Sequence, residues 1–172
     1  MLTHFTRASR SGRAIDNLIA ILSEGSVHAS GRMIRGGQPV VCMVDAPPDE
    51  LRSLLARRNR RRYEPFGIAV DKSYAFRMGA RPVIYMPWRE AASLLPEPER
   101  WRVVSLDLDR RPAVDWSFER EWRMASDLPV DPLRTVALVE DWRDADEIFD
   151  RFEGRPPCAG VIPLGDLLGA TR

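Results

Sequence analysis

Fourteen prolines and 11 glycines punctuate this 172-residue chain, and they leave little room for long regular elements. Proline removes a backbone donor and clashes with the preceding helical turn, and glycine costs backbone entropy in any regular element. The apolar periodicities between these breaks are short and of two kinds, so many short elements fit better than a helix bundle. No apolar run approaches the roughly 20 residues of a membrane span.

Residues 2–6 read as a strand. Ile15, Leu18, Ile19 and Leu22 then recur at helical spacing, and Gly25 is placed to stop that helix. Residues 30–38 carry three glycines and two arginines without periodicity, which predicts a loop. Residues 39–44 predict a buried strand, and Pro47-Pro48 opens a helix to about residue 58 with Leu51, Leu54 and Leu55 on one face. Further strands are expected at 66–70, 83–86, 101–108, 118–124, 135–140 and 159–163. Helices are expected at 72–78, 89–95 and 145–152. Strands and short helices interleaved in this way indicate one mixed α+β domain over residues 1–172.

The charge is near balance, with 26 basic residues against 25 acids. That balance excludes a globally basic nucleic-acid coat and a globally acidic tail. Residues 1–62 hold 11 arginines against five acids, a balance of +6, and the remainder carries −5. The N-terminal part is therefore suited to something anionic. Two cysteines, Cys42 and Cys158, with two histidines make neither a disulfide framework nor a metal site. The first residues lack an apolar signal region, so a cytoplasmic protein without a membrane partner is expected.

Four groups of residues could carry chemistry. In the expected strand 118–124, the period of two puts Glu119, Glu121 and Arg123 on one face. Two adjacent carboxylates perturb each other, and the arginine keeps at least one ionised. Such a pair can hold a sugar hydroxyl and stabilise positive charge at an anomeric carbon; the same pattern also suits the outer face of an edge strand. In His4-Phe5-Thr6, the histidine and threonine share a face and offer two polar contacts, or else they are a surface or capping pair. Arg32 and Arg35, beside a Gly-Gly, could wrap a pyrophosphate. Arg57, Arg58, Arg60, Arg61 and Arg62 form either a patch for phosphate backbones or a solvated helix end. The Walker and Rossmann glycine patterns are absent, and His28 with Cys42 or Ser117 lacks any local nucleophile signature.

The segments LTHFT and AIDNLIAILSEGSVHAS resemble the opening of DarT-type ADP-ribosyltransferases, a strand ending in His-x-Thr followed by a helix of the form I-x-N-L-x-x-I-L-x-x-G. The match runs through Ile15, Asn17, Leu18, Ile21, Leu22 and Gly25. Further on, VVCMVDAPPDEL, YEPFGIAVDKSYAFRMGARPVIYM and WSFEREWRM resemble blocks of AbiGi-like phage-resistance proteins, in the same order. The resemblance covers about residues 2–125. APPDEL stands where DarT proteins have a proline-rich P-R-S-P segment.

This resemblance implies an ADP-ribosyltransferase-like fold, with two packed, mainly antiparallel sheets flanked by short helices and gripping NAD⁺ as substrate. It implies Glu121 as the glutamate that holds the nicotinamide-ribose 2′-hydroxyl, and Glu119 as a second catalytic carboxylate orienting or deprotonating the acceptor. His4, Phe5 and Thr6 would contact NAD⁺ with Asn17 nearby, and Arg32 or Arg35 would bind its pyrophosphate. Phe66, Tyr74 and Tyr85 are candidates to stack on nicotinamide. The implied acceptor is a macromolecule (DNA, RNA or protein), in a toxin–antitoxin or phage-defence setting with an antitoxin or immunity partner. The alternative is a non-catalytic module of the same fold that binds nucleic acid or a partner through the arginines of 57–62.

Overall fold

The computed structural model describes residues 1–9, 12–32, 34–56 and 62–167. Within them the chain is α+β, built on a mixed sheet with short helices. Eleven strands and six helices follow in order: β1 Leu2–Thr6, α1 Ala14–Glu24, β2 Ser26–Val27, β3 Val41–Val44, α2 Pro48–Leu54, β4 Phe66–Val70, α3 Lys72–Arg77, β5 Arg81–Pro82, β6 Ile84–Met86, α4 Trp88–Leu94, β7 Val103–Ser105, β8 Glu121–Met124, β9 Leu128–Pro129, β10 Thr135–Val139, α5 Trp142–Arg151, β11 Gly160–Pro163 and α6 Leu164–Leu167.

The large sheet has seven strands in the order β11-β10-β4-β1-β3-β8-β5. Its pairings are antiparallel except for β10 with β11. Two small ribbons, β2-β9 and a parallel β6-β7, complete the strands. The described strands are thus divided seven, two and two, unlike two sheets of similar size.

Helix α1 forms because its apolar stripe has somewhere to go. Ile15, Leu18 and Leu22 are buried against Leu2 of β1 and Ile68 and Val70 of β4. The Asp16 carboxylate accepts the Arg13 backbone N–H at 2.7 Å, satisfying one free donor at the helix start. Gly25 ends the helix at φ 72°. Helix α5 covers the same sheet face with Ala145 and Ile148, and Asp141 caps it by accepting the N–H groups of Arg143 and Asp144. Each fully buried leucine or isoleucine here contributes about 1.5–3 kcal/mol of transfer free energy. The opposite face is closed by smaller clusters, Val44 with Leu51 and Leu54, and Ala69 with Leu55, Leu138 and Leu164.

Gly67 is what allows β1 and β4 to lie so close. A Cβ at this position would come within 2.3 Å of the His4 carbonyl oxygen. β1 pairs with β4 along its whole length, from Leu2 opposite Val70 to Thr6 opposite Phe66. With β3 it pairs only where Thr3 faces Val44.

Two sequence expectations need correction. The strand expected at 118–124 begins only at Glu121. Ser117–Glu119 is a single 3₁₀ turn, and Arg120 sits in the left-handed region at φ 44°. Likewise, of the strand expected at 101–108 only Val103–Ser105 is a strand: a 3₁₀ helix, Glu97–Arg102, runs into its start, and beyond it Asp107 makes a single bridge to Val114. The described part of the helix from Pro48 stops at Leu54, and Arg57, Arg58, Arg60 and Arg61 lie outside the described residues.

Candidate functional site

Beyond Thr3 the strands β1 and β3 part, and a cavity of about 630 Å³ opens at the split. Both strands line it, with Thr3, His4 and Phe5 on one side and Cys42, Met43 and Val44 on the other. The volume falls within the roughly 300–1,000 Å³ of small-molecule sites. Five arginines face it (Arg7, Arg32, Arg35, Arg62 and Arg123) against two carboxylates, Glu119 and Glu121. Four of those arginines belong to the +6 part of the chain and both glutamates to the −5 part. The sequence polarity is therefore folded into one concavity with a cationic surplus.

His4 sits at the point of divergence. Its Nδ1 is 2.8 Å from the Cys42 carbonyl oxygen on β3. Burial pushes the imidazole pKa below its ordinary value, against the smaller opposing effect of that hydrogen bond. The ring is then neutral, and because a carbonyl only accepts, Nδ1 carries the proton and Nε2 is left as an acceptor. β1 thus offers the cavity an uncharged acceptor from a side chain that also spans the gap between two strands.

Glu121 opens β8, where register places it opposite Val44, and Arg123 lies opposite Cys42. Arg123 grips Glu121 with two nitrogens, Nε to Oε1 at 2.7 Å and Nη2 to Oε2 at 3.3 Å. Its Nη1 donates to the carbonyls of Trp101 and Val103 at 2.7 and 3.1 Å. A guanidinium with this many acceptors holds the carboxylate in one orientation. The Glu121 backbone N–H donates to the Tyr85 hydroxyl at 2.9 Å, so the aromatic ring fixes the start of β8. The Cys42 thiol beside this pair is pushed up to about 12, first by burial and then by the Glu121 charge. It is not a thiolate nucleophile.

Glu119 reaches the same cavity by a different route. The 3₁₀ turn and the left-handed Arg120 turn it inward, and it is only 6% exposed. Burial raises its pKa, while the Tyr63 hydroxyl, which donates to it, and the Arg62 charge act in the opposite sense. Arg62 Nη2 stands 2.7 Å from Oε1. Oε1 nevertheless has no hydrogen-bond donor among the described residues, so this is an ion-pair contact without N–H alignment. Burial, with the Glu119 charge next, also pushes the Tyr63 hydroxyl pKa up.

The glycine loop brings Arg32 and Arg35 to the rim. Its ends are tied by the pairing of Ser30 with Val40, and Gly31 passes so close to Gly37 that a Cβ would lie 2.2 Å from the Gly37 carbonyl oxygen. Arg35 lies over the Trp88 ring at 4.9 Å, and Arg62 over the Trp116 ring at 4.1 Å.

Eight residues selected from sequence therefore meet in one cavity: His4, Phe5, Arg32, Arg35, Arg62, Glu119, Glu121 and Arg123. Four others lie elsewhere. The Thr6 hydroxyl is buried beneath α1 and donates to the Ala14 carbonyl at 3.0 Å. Asn17 Nδ2 donates to the Arg7 carbonyl at 2.7 Å, tying α1 to the exit of β1. Phe66 belongs to the core under α1, and Tyr74 packs against that core from α3. The aromatic rings that do line the cavity include Tyr63, Trp88 and Trp116. Tryptophan beside proline at 87–88 and within the turn-rich VDWS segment was the available signal for two of them.

Among the described residues no group of three or more His, Cys, Asp or Glu could hold a metal ion, and no helix is long and apolar enough to cross a membrane. Comparison with protein-family models, curated proteins and solved structures returns no match to this chain.

Proposed function

We propose that this protein is an NAD⁺-dependent ADP-ribosyltransferase whose site is the cavity at the β1–β3 split. One observation carries the reading. His4, Arg32 and Arg35, Glu119 and Glu121, chosen on sequence grounds from three separate segments, line a single cavity with a cationic surplus. A dinucleotide has matching needs: charge-assisted hydrogen bonds for its pyrophosphate, and carboxylates for ribose hydroxyls and for charge at the anomeric carbon. The unpaired Oε1 of Glu119 is an acceptor that a hydroxyl donor would satisfy.

In this reading Arg123 aims Glu121 through its two hydrogen bonds, and the carboxylate accepts from the ribose 2′-hydroxyl. The bond from the anomeric carbon to the nicotinamide nitrogen breaks with its electron pair going to nicotinamide, and Glu121 stabilises the oxocarbenium-like charge left behind. The acceptor nucleophile adds to that carbon and releases its proton to Glu119. Raised by burial, Glu119 is a better proton acceptor than an exposed glutamate. His4 Nε2 accepts a donor from the cofactor, and Arg32 and Arg35 hold the phosphates. A macromolecular acceptor, a toxin or phage-defence setting and an antitoxin-type partner belong to the same proposal and rest on the resemblance to DarT and AbiGi-like proteins.

The test is nicotinamide release from NAD⁺ with Glu121→Gln. This variant keeps a hydrogen-bond acceptor for Arg123 and removes the charge. Loss of one such electrostatic stabiliser costs about 10²–10³ in rate. Release at the parent rate would remove Glu121 from the chemistry and with it the transferase reading.

A further inference from the structure

The five arginines of the cavity are not equally engaged. Arg123 is taken up by Glu121 and two backbone carbonyls, and Arg62 lies against Glu119. Arg35 rests on the Trp88 ring, and no carboxylate among the described residues pairs with it, with Arg32 or with Arg7. The function proposed above uses Arg32 and Arg35 and leaves Arg7 without a role.

Strand register sorts these charges by end. β1 and β3 are antiparallel through Thr3 opposite Val44, and continuing that register sets Arg7 level with Val40. Val40 also closes the glycine loop by pairing with Ser30, whose hydroxyl accepts the Arg32 backbone N–H at 3.2 Å. Glu121 stands at the other end of β3, opposite Val44. The three cations without carboxylates therefore gather at one end of the cavity, and Glu121 at the other. Arg7 is also held in place: Asn17 Nδ2 donates to its carbonyl at 2.7 Å, which fixes the backbone from which the guanidinium extends.

NAD⁺ underfills this arrangement. Its pyrophosphate brings two negative charges and its nicotinamide ring one positive, against a cavity surplus of three positive charges. With the nicotinamide ribose at Glu121 and the pyrophosphate at Arg32 and Arg35, the adenosine half is what extends to the Arg7 wall. Adenosine offers an arginine no anion. A phosphomonoester on its ribose adds about −1.5 to −2 charge at pH 7 and three acceptor oxygens. A guanidinium grips such a group with paired donors, and an arginine is what accommodates a 2′-phosphate in nicotinamide-dinucleotide sites.

We propose that the cavity selects NADP⁺ over NAD⁺, with Arg7 binding the phosphomonoester of the adenosine ribose and Asn17 positioning Arg7. This selectivity rests on the transferase reading for the orientation of the dinucleotide, and it adds no bond-making step.

Calorimetric titration of ADP-ribose and of 2′-phospho-ADP-ribose tests the selectivity without requiring turnover. The unaltered protein should bind the phosphorylated ligand at least about tenfold more tightly. Arg7→Gln should erase that preference by weakening the phosphorylated ligand and leaving ADP-ribose within about twofold. Arg32→Gln should weaken both ligands alike, which separates a phosphomonoester contact from general attraction of anions. Asn17→Ala should reduce the preference less than Arg7→Gln does, a change in ratio that mere destabilisation of α1 would not produce. Equal affinities in the unaltered protein, or a preference that survives Arg7→Gln, would overturn the selectivity and leave the transferase reading standing. Binding of neither ligand would overturn both. A full preference in Asn17→Ala would remove Asn17 as the positioning residue. Thermal unfolding confirms that each variant is folded, and Arg7→Met is the second variant should Arg7→Gln not fold.

Discussion

The two flanks of β1 are built on opposite principles. Toward β4 the strand is paired along its length, and Leu2 is buried in the apolar cluster with residues of α1 and α5. Toward β3 it is paired at Thr3 alone, and the space beyond is lined by five arginines, two glutamates and a neutral histidine. One five-residue strand therefore supplies both packing and the wall of a polar cavity. The comparison teaches that the site is precise because its wall is held from behind. The β4 side fixes the backbone so that the β3 side can remain open without collapsing.

The largest effect should come from hollowing the packed flank. Ile68 is almost fully buried at the centre of β4, opposite His4 in register. Ile68→Ala should cost about 2–5 kcal/mol in denaturant unfolding, because lost transfer energy and an unfilled cavity add. The Glu121–Arg123 pair lies on β8, separated from β4 by β1 and β3, so in the transferase reading nicotinamide release per folded molecule should be unchanged. A variant that is stable but inactive would show that the flanks are not separable.

A substitution at Gly67 tests how one flank is held by the other. The added methyl of Gly67→Ala meets backbone, the His4 carbonyl oxygen at 2.3 Å, and backbone cannot rotate aside. Overpacking of this kind costs about 1–3 kcal/mol. The strain also has a direction: it pushes β1 away from β4 and toward the open side, where His4 spans to Cys42. Loss of ligand binding in excess of the loss of folded protein is expected, as measured by parallel unfolding and binding titrations.

Thr6→Val is a smaller test, on the order of 1 kcal/mol, since it removes a single buried hydrogen bond to the Ala14 carbonyl while keeping the side-chain shape. The loss should appear in stability alone. A selective effect on ligand binding would place Thr6 in the site after all.

Thr6 also shows what sequence could and could not convey. The period of two correctly put His4 and Thr6 on one face, but along that face the cover changes from cavity to helix, and no local pattern records that change. α1 and β4 were legible because their apolar periodicity is the cause of their packing. The pair Glu119 and Glu121 was legible for a reason that proved incomplete. Alternating residues from Phe118 to Met124 read as one strand, whereas a 3₁₀ turn and a left-handed Arg120 deliver Glu119 to the cavity. Trp88 and Trp116 acquire their roles only through arginines distant in sequence, which is tertiary information.

The finest distinction between the open flank and the rest of the molecule is made by its two histidines, which should respond to pH with opposite signs. His4, half-buried at the split, has a pKa lowered from 6.5 mainly by desolvation. The unfolded chain then binds a proton that the folded chain refuses. Its contribution is fully present above about 6.5 and declines as pH falls toward the lowered folded value. His28 is exposed at the end of the β2 ribbon, between Asp127 at 2.8 Å and Glu24 at 3.0 Å. Its pKa is raised, first by the hydrogen bond to Asp127, so its contribution is complete below 6.5 and declines as pH rises through the raised folded value. Thermal midpoints measured from pH 5 to 8 should therefore separate two variants. His4→Asn should flatten the acid limb, and His28→Asn should flatten the neutral limb by a smaller amount because its partners are exposed and screened. Glu119, raised by burial, adds its own loss of stability as pH rises, so differences between each variant and the parent carry the result rather than the parent curve. If His4→Asn keeps the full acid loss, the imidazole at the split is not held neutral, and β1 presents a cation rather than an acceptor to the cavity.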